Sequence, residues 1–261
     1  MVYGQTRFTF LNLNLKKNKM KTLIIGIFLS AFSTLTFAQN DYPDLKILFA
    51  DGNYEKLVKE SEKYCNDDKT KKDPIPHLWM ARGLYKISIS GTDDENFKNA
   101  YKDALGATYK FLKNDKDGSA ISDPDNRDFV FLMQSSLMEQ IDNELTVANY
   151  RKAFSWVIKY KKISNNAIGA IYLEGACKFR TDDKSSGFTL WREAEALMEQ
   201  VTSTESWSET DMKILRVGVL QSAECLVSVK QVEKAKALLN KVAPWFEGDE
   251  DFKAAYDEIV N

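Results

Sequence analysis

WMARGLYKISISGTDDENFKNA, residues 79–100, sets the pattern for the whole chain. Its first part spaces apolar side chains every three or four positions, as a helix with one buried face does. Gly91-Thr92-Asp93-Asp94 breaks that helix, and Phe97 and Ala100 open the next. The interval from Gly83 to Phe97 then recurs. Ser136 and Tyr150, Gly175 and Phe188, and Gly218 and Val232 are separated by 13 or 14 positions. Ala100, Ala153, Trp191 and Ala235 each follow three residues after the second member. Stacked helix pairs account for this spacing, whereas a single globular core does not require it.

Working outward gives five units. The first runs from Asp41 to Asn66, with Pro43 in a first turn, a turn at Phe49–Tyr54, and Tyr54, Leu57, Val58, Ser61 and Tyr64 on one face. The second begins near Pro76 and returns through Phe97, Ala100, Ala104 and Phe111. Asp123-Pro124, an N-cap followed by Pro, opens the third, which returns through Tyr150, Ala153 and Val157. Asn165 or Asn166 caps the fourth, which breaks over Thr181–Gly187 and returns from Phe188. Ser208 and Asp211 form a weak capping box for the fifth, which ends at Pro244. A last amphipathic helix, Asp249–Val260, is placed to cover the end of the stack. The expected fold class is all-α: a solenoid of about five antiparallel helix pairs plus a C-terminal capping helix.

Gly52-Asn53-Tyr54-Glu55-Lys56-Leu57 resembles the turn of a tetratricopeptide repeat, in which an aromatic opens the second helix and a small residue follows three positions on. Asn96–Ala100, Asn149–Ala153 and Gln231–Ala235 look like the same element, and Trp79-Met80-Ala81-Arg82-Gly83 resembles the start of the first helix, with Arg82 in place of Leu. The second-helix starts at 54, 97, 150, 188 and 232 are 43, 53, 38 and 44 residues apart. The family's period is about 34 residues, so the units here are lengthened and irregular. The resemblance implies a tetratricopeptide-like scaffold for protein–protein interaction, with no chemistry of its own.

MKTLIIGIFLSAFSTLTFAQ, residues 20–39, has a short basic start at Lys21, an apolar stretch from Leu23 to Phe32, and a small-x-small site at Thr36-Phe37-Ala38. A cleavable signal peptide is expected to end at Ala38, with translation starting at Met20. Gln39 stands where a lipoprotein needs Cys, so a periplasmic product is expected, with no membrane insertion after cleavage; secretion is a further possibility. A single repeat domain is expected over residues 39–261. Removing the five basic residues before position 39 leaves 31 basic against 38 acidic residues, a net charge of about −7. That balance argues against a nucleic-acid partner, whose phosphates demand a basic face. The expected partners are proteins of the cell envelope.

Aligned on one another, the first helices carry a mostly polar stripe. It comprises Arg82 and Lys86, Ser135 and Glu139, Glu174 and Lys178, then Val217 and Gln221, paired at a spacing of four. Arg82, Lys86, Glu139, Glu174, Lys178 and Gln221 are therefore candidates for a partner-binding groove. The alternative is a small-ligand protein for glycan or peptide fragments, with Trp79, Tyr85, Tyr172, Trp191 and Trp207 as stacking groups and Trp207 as the one expected to be exposed. No GxSxG, HExxH, Walker or GxGxxG motif occurs, and no catalytic residue, metal or cofactor is expected. Asp115–Ile121 imitates a calcium loop, but positions six and twelve are Ala120 and Asn126 rather than Gly and Glu. Cysteines 65, 177 and 225 make an odd count: Cys177 and Cys225 fall in neighbouring units and could pair, and the other reading is that all three are small buried apolar residues.

Overall fold

The computed structural model of the protein describes residues 41–260. Residues 20–38, for which a signal peptide is expected, lie outside the described residues. Every regular element among the described residues is helical. The α-helices are α1 (Pro43–Ala50), α2 (Tyr54–Asn66), α3 (Pro74–Ser90), α4 (Ala100–Asn114), α5 (Pro124–Thr146), α6 (Tyr150–Ile163), α7 (Ile168–Arg180), α8 (Lys184–Met198), α9 (Glu209–Ser228), α10 (Val232–Val242) and α11 (Glu250–Val260). Short 3-10 turns occupy Glu95–Phe97 and Ala243–Phe246. No helix among the described residues is long and apolar enough to cross a membrane.

One turn geometry recurs at four of the connections. Gly52, Ala148, Asp182 and Lys230 all have positive φ, at 71°, 55°, 68° and 60°. Each stands two residues before a new helix. The next amide in each case reaches back five residues: Asn53 to the Leu48 carbonyl, Asn149 to Glu144, Asp183 to Lys178 and Gln231 to Leu226. This is the left-handed closure that satisfies a helix's last carbonyls. Only the first of the four has Gly at the left-handed position, where a side chain costs energy. Lys230→Gly is therefore expected to stabilise the protein by about 1 kcal/mol, a rise in Tm of roughly 2–4 °C by thermal denaturation.

Of the five turns that join α1 to α2, α3 to α4, α5 to α6, α7 to α8 and α9 to α10, the one that differs is α3 to α4. Asp94 caps a 3-10 turn through the Asn96 amide, so Phe97 lies in that turn and α4 begins only at Ala100. Phe97 does not open the return helix as its spacing suggests. Two other boundaries shift for local reasons. The Asp73 carboxylate accepts from the Ile75 amide and starts α3 at Pro74, ahead of Pro76. Asp183 accepts from the Ser186 amide, so Gly187 and Phe188 sit inside α8 rather than at its edge.

The core is organised on α7, of whose 13 residues all but Lys178 and Arg180 are buried. A helix that is apolar all round belongs inside. Ala170, Leu173 and Cys177 face a cluster that includes Val58, Leu84, Phe111, Met133, Val157 and Ile214. Ile171, Tyr172 and Phe179 face a second cluster with Trp191, Leu215, Leu239 and Phe252. The α7–α9 approach is backbone to backbone. A Cβ added to Gly169 would lie 2.4 Å from the Leu215 Cα, and one added to Gly218 would lie 2.3 Å from the Gly169 carbonyl oxygen. The nearest neighbours of the spacing-pattern glycines are not the residues that follow them 13 or 14 positions on. Gly218 admits α7, Gly83 admits Leu57 and Val58 of α2, and Gly175 admits Trp191.

The first turn of α9 also reaches α5 and α6. Ser135 Oγ and Thr210 Oγ1 are 3.0 Å apart, and Lys213 pairs with Asp142 at 2.6 Å. Asp211, buried, accepts from the hydroxyls of Tyr160 (2.8 Å) and Ser164 (2.7 Å). At the C-terminal end Arg216 pairs with Asp249, and Phe252 stacks on Phe246, which fixes α11 against the last pair. Cys177 and Cys225 are both buried free thiols rather than a disulfide.

Candidate functional site

The first three odd-numbered helices converge on a cleft of about 380 Å³. Phe49 enters from α1, Arg82, Tyr85 and Lys86 from α3, and Asp125, Asp128, Phe129 and Leu132 from α5. Asp123 fixes the start of α5 by accepting from the Asp125 and Asn126 amides, which presents the first turn of α5 to α3. Phe49 packs on Trp79 with ring centroids 5.5 Å apart, and Tyr85 meets Phe129 edge-on at 6.3 Å. Leu132 is 45% exposed and its neighbour Phe131 40%.

Arg82 and Lys86 share this cleft but do different work. The Arg82 guanidinium donates from Nη2 to the Asp125 carbonyl (2.9 Å) and to Asn126 Oδ1 (3.1 Å). Its Cζ lies 4.8 Å from the Trp79 ring and 5.6 Å from the Phe129 ring. Burial opposes its charge, and the nearby Asp125 and Asp123 carboxylates support it. Arg82 is thus a clamp between α3 and α5 rather than a residue of a solvated face. Lys86, one turn on, is half-buried and makes no ion pair among the described residues.

No protein-family model, curated protein or solved structure matches this chain. Its own geometry carries the functional reading.

The other four stripe residues are not brought to this cleft. Glu139 is exposed on α5. Glu174 is buried and accepts from Lys161 Nζ at 2.7 Å, so the stripe is interrupted there by an ion pair between α6 and α7. Lys178 pairs with Asp183 at 3.3 Å and lies 4.8 Å from the Phe154 ring. Gln221 donates to Glu224, which also pairs with Arg180. The stripe is therefore not a continuous open face: a helical repeat of four places residues on one side of a helix but does not say which neighbour covers that side. Phe49, Phe129 and Leu132, absent from the stripe, complete the cleft. Their apolar character hid them among core positions.

The sole histidine has a partner the linear sequence does not disclose. Cys65 Sγ lies 3.1 Å from His77 Nδ1, and His77 Nε2 lies 3.4 Å from the Lys71 carbonyl. A carbonyl only accepts, so Nε2 carries the proton and Nδ1 accepts from the thiol. Burial pushes the Cys65 thiol up to about 12, so at neutral pH it stays protonated and lacks the thiolate on which nucleophilicity depends. In the loop at 115–121 the carboxylates are used internally: Asp115 accepts from the Ala120 and Ile121 amides, and Asp117 from the Ser119 amide and hydroxyl. Trp207, expected at the surface, is half-buried beside Trp245 at 6.3 Å.

Proposed function

We propose that the protein is an exported, non-enzymatic, tetratricopeptide-like scaffold that docks a protein partner of the cell envelope. On this reading it has five helix pairs, a capping helix at α11 and a periplasmic location, delivered by the segment at 20–38. The observation that carries the reading is the cleft shared by α1, α3 and α5. Successive first helices of a repeat array form its inner surface, and here they present an apolar strip flanked by Lys86, Asp125 and Asp128. The fourfold recurrence of one turn geometry supports the repeat architecture. An extended or helical segment with an apolar residue for Phe129 and Leu132, and an acid for Lys86, fits this lining.

Lys86 and Leu132 give the cleanest test, because neither joins helices as Arg82 does. Lys86→Glu combined with Leu132→Asp is expected to reduce capture of the envelope partner at least tenfold, measured by quantitative mass spectrometry of co-purified proteins. The melting temperature of the same variant should stay within about 2 °C of the parent, as surface changes usually do. Undiminished capture by the folded variant removes this cleft as the docking site.

A further inference from the structure

A second cleft, of about 510 Å³, opens between α8 and α10 over a floor made by α7 and α9. Two features distinguish it from a packing defect. The Tyr172 side chain, 98% buried, lines it, and its hydroxyl has no hydrogen-bond partner among the described residues. Gln231 lines it too, and its Oε1 is shielded from solvent without a partner among the described residues. Buried polar groups are nearly always satisfied, because an orphaned one forfeits its hydration for nothing. Two such oxygens in one cleft mark places where a bound molecule supplies the missing partner, an acceptor for the Tyr172 hydroxyl and a donor for Gln231 Oε1. The backbone holds both residues firmly. Trp191 Nε1 donates to the Tyr172 carbonyl at 3.1 Å, and the left-handed turn at Lys230 fixes Gln231 through the Leu226 carbonyl.

The rim gives the chemistry. Arg192 and Lys234 are exposed, one on each wall, and neither forms an ion pair among the described residues. Among the described residues Arg192 donates only to Thr189 Oγ1, at 3.3 Å. Glu195 is the acid on this rim, and its field adds to burial in pushing the Tyr172 hydroxyl up, which keeps that hydroxyl a protonated donor. Phe188, Trp191 and Leu238 supply an apolar side. Two facing cations call for a carboxylate, Gln231 Oε1 calls for an N–H or O–H donor, and the wall calls for an apolar arm.

We infer that this cleft binds the carboxylate end of a short peptide. The terminal carboxylate lies between Arg192 and Lys234 and accepts from the Tyr172 hydroxyl, the last amide N–H donates to Gln231 Oε1, and the terminal apolar side chain lies along Trp191 and Leu238. The site is separate from the α1–α3–α5 cleft, so it stands whether or not that cleft docks a protein.

The test is an NMR titration of the 15N-labelled protein with acetyl-Ala-Phe, its C-terminal amide, and glucuronic acid. The acid peptide is expected to shift the Trp191 indole N–H saturably, with the amide at least tenfold weaker. Arg192→Ala and Lys234→Ala, both at exposed positions, should each weaken the acid peptide several-fold and leave the spectrum otherwise folded. Tyr172→Phe should weaken binding while raising the melting temperature of the free protein, since it removes an unsatisfied hydroxyl. Equal binding of acid and amide, a stronger response to glucuronic acid, no shift of Trp191, or a lowered melting temperature in Tyr172→Phe would each overturn the assignment.

Discussion

Gly218→Ala is expected to lower the melting temperature by roughly 6–12 °C, corresponding to a loss of about 3 kcal/mol. The sign is the informative part. Inside a helix Ala is ordinarily better than Gly by about 1 kcal/mol, because Gly loses more backbone freedom on folding. At Gly218 that gain is overridden by the Gly169 carbonyl oxygen, 2.3 Å from the added methyl, and by the Leu173 nitrogen at 3.1 Å. Both are backbone atoms of α7, so no rotamer change relieves the clash. Gly169→Ala meets the same obstacle from the other side, against Leu215. Gly106, also inside a helix, meets nothing within 4 Å and is exposed. Gly106→Ala should therefore stabilise by about 0.5–1 kcal/mol. Opposite shifts for the two substitutions, measured by calorimetry, would establish that α7 and α9 touch through their backbones.

Asp211→Ala should be nearly as damaging, at about 3 kcal/mol. Its carboxylate is buried at the start of α9 and is the acceptor for two hydroxyls, Tyr160 and Ser164. Truncation leaves the Tyr160 hydroxyl orphaned at a position with no solvent exposure. Burial and the adjacent Asp211 both raise the Tyr160 phenol, so it is a protonated donor at neutral pH. The expected signature is non-additive. Tyr160→Phe destabilises the parent but has little cost, or a small benefit, in the Asp211→Ala background. Additive losses measured by urea unfolding would mean that the two groups do not depend on each other.

Helix existence was legible because it depends on local periodicity, and so was much of the capping. Asp123 before Pro124 and Ser208 before Asp211 both cap as their residue types suggest. The turns were harder to place. Ala148, Asp182 and Lys230 take the left-handed conformation without the glycine that advertises it, and the Asp182 turn moved the start of α8 ahead of its expected place. The spaced glycines 83, 175 and 218 sit at close approaches, but a missing Cβ does not say which helix is near. The polar stripe failed at Glu174 for a related reason: Lys161, thirteen residues earlier, turns an apparently wet position into a buried ion pair. Arg82 and Lys86 were legible as candidates. That Arg82 clamps α5 while Lys86 remains available depends on Asn126 and Phe129, which only the fold brings near.

The central functional claim is that a protein partner occupies the cleft of α1, α3 and α5. Hydrogen–deuterium exchange of the protein, alone and with its captured envelope partner, tests it most directly. Amides of α3 around Arg82–Lys86 and of α5 around Asp125–Leu132 should gain protection in the complex, with α8 and α10 unchanged. Protection confined to other helices, or none in a complex that stays intact, would contradict the account.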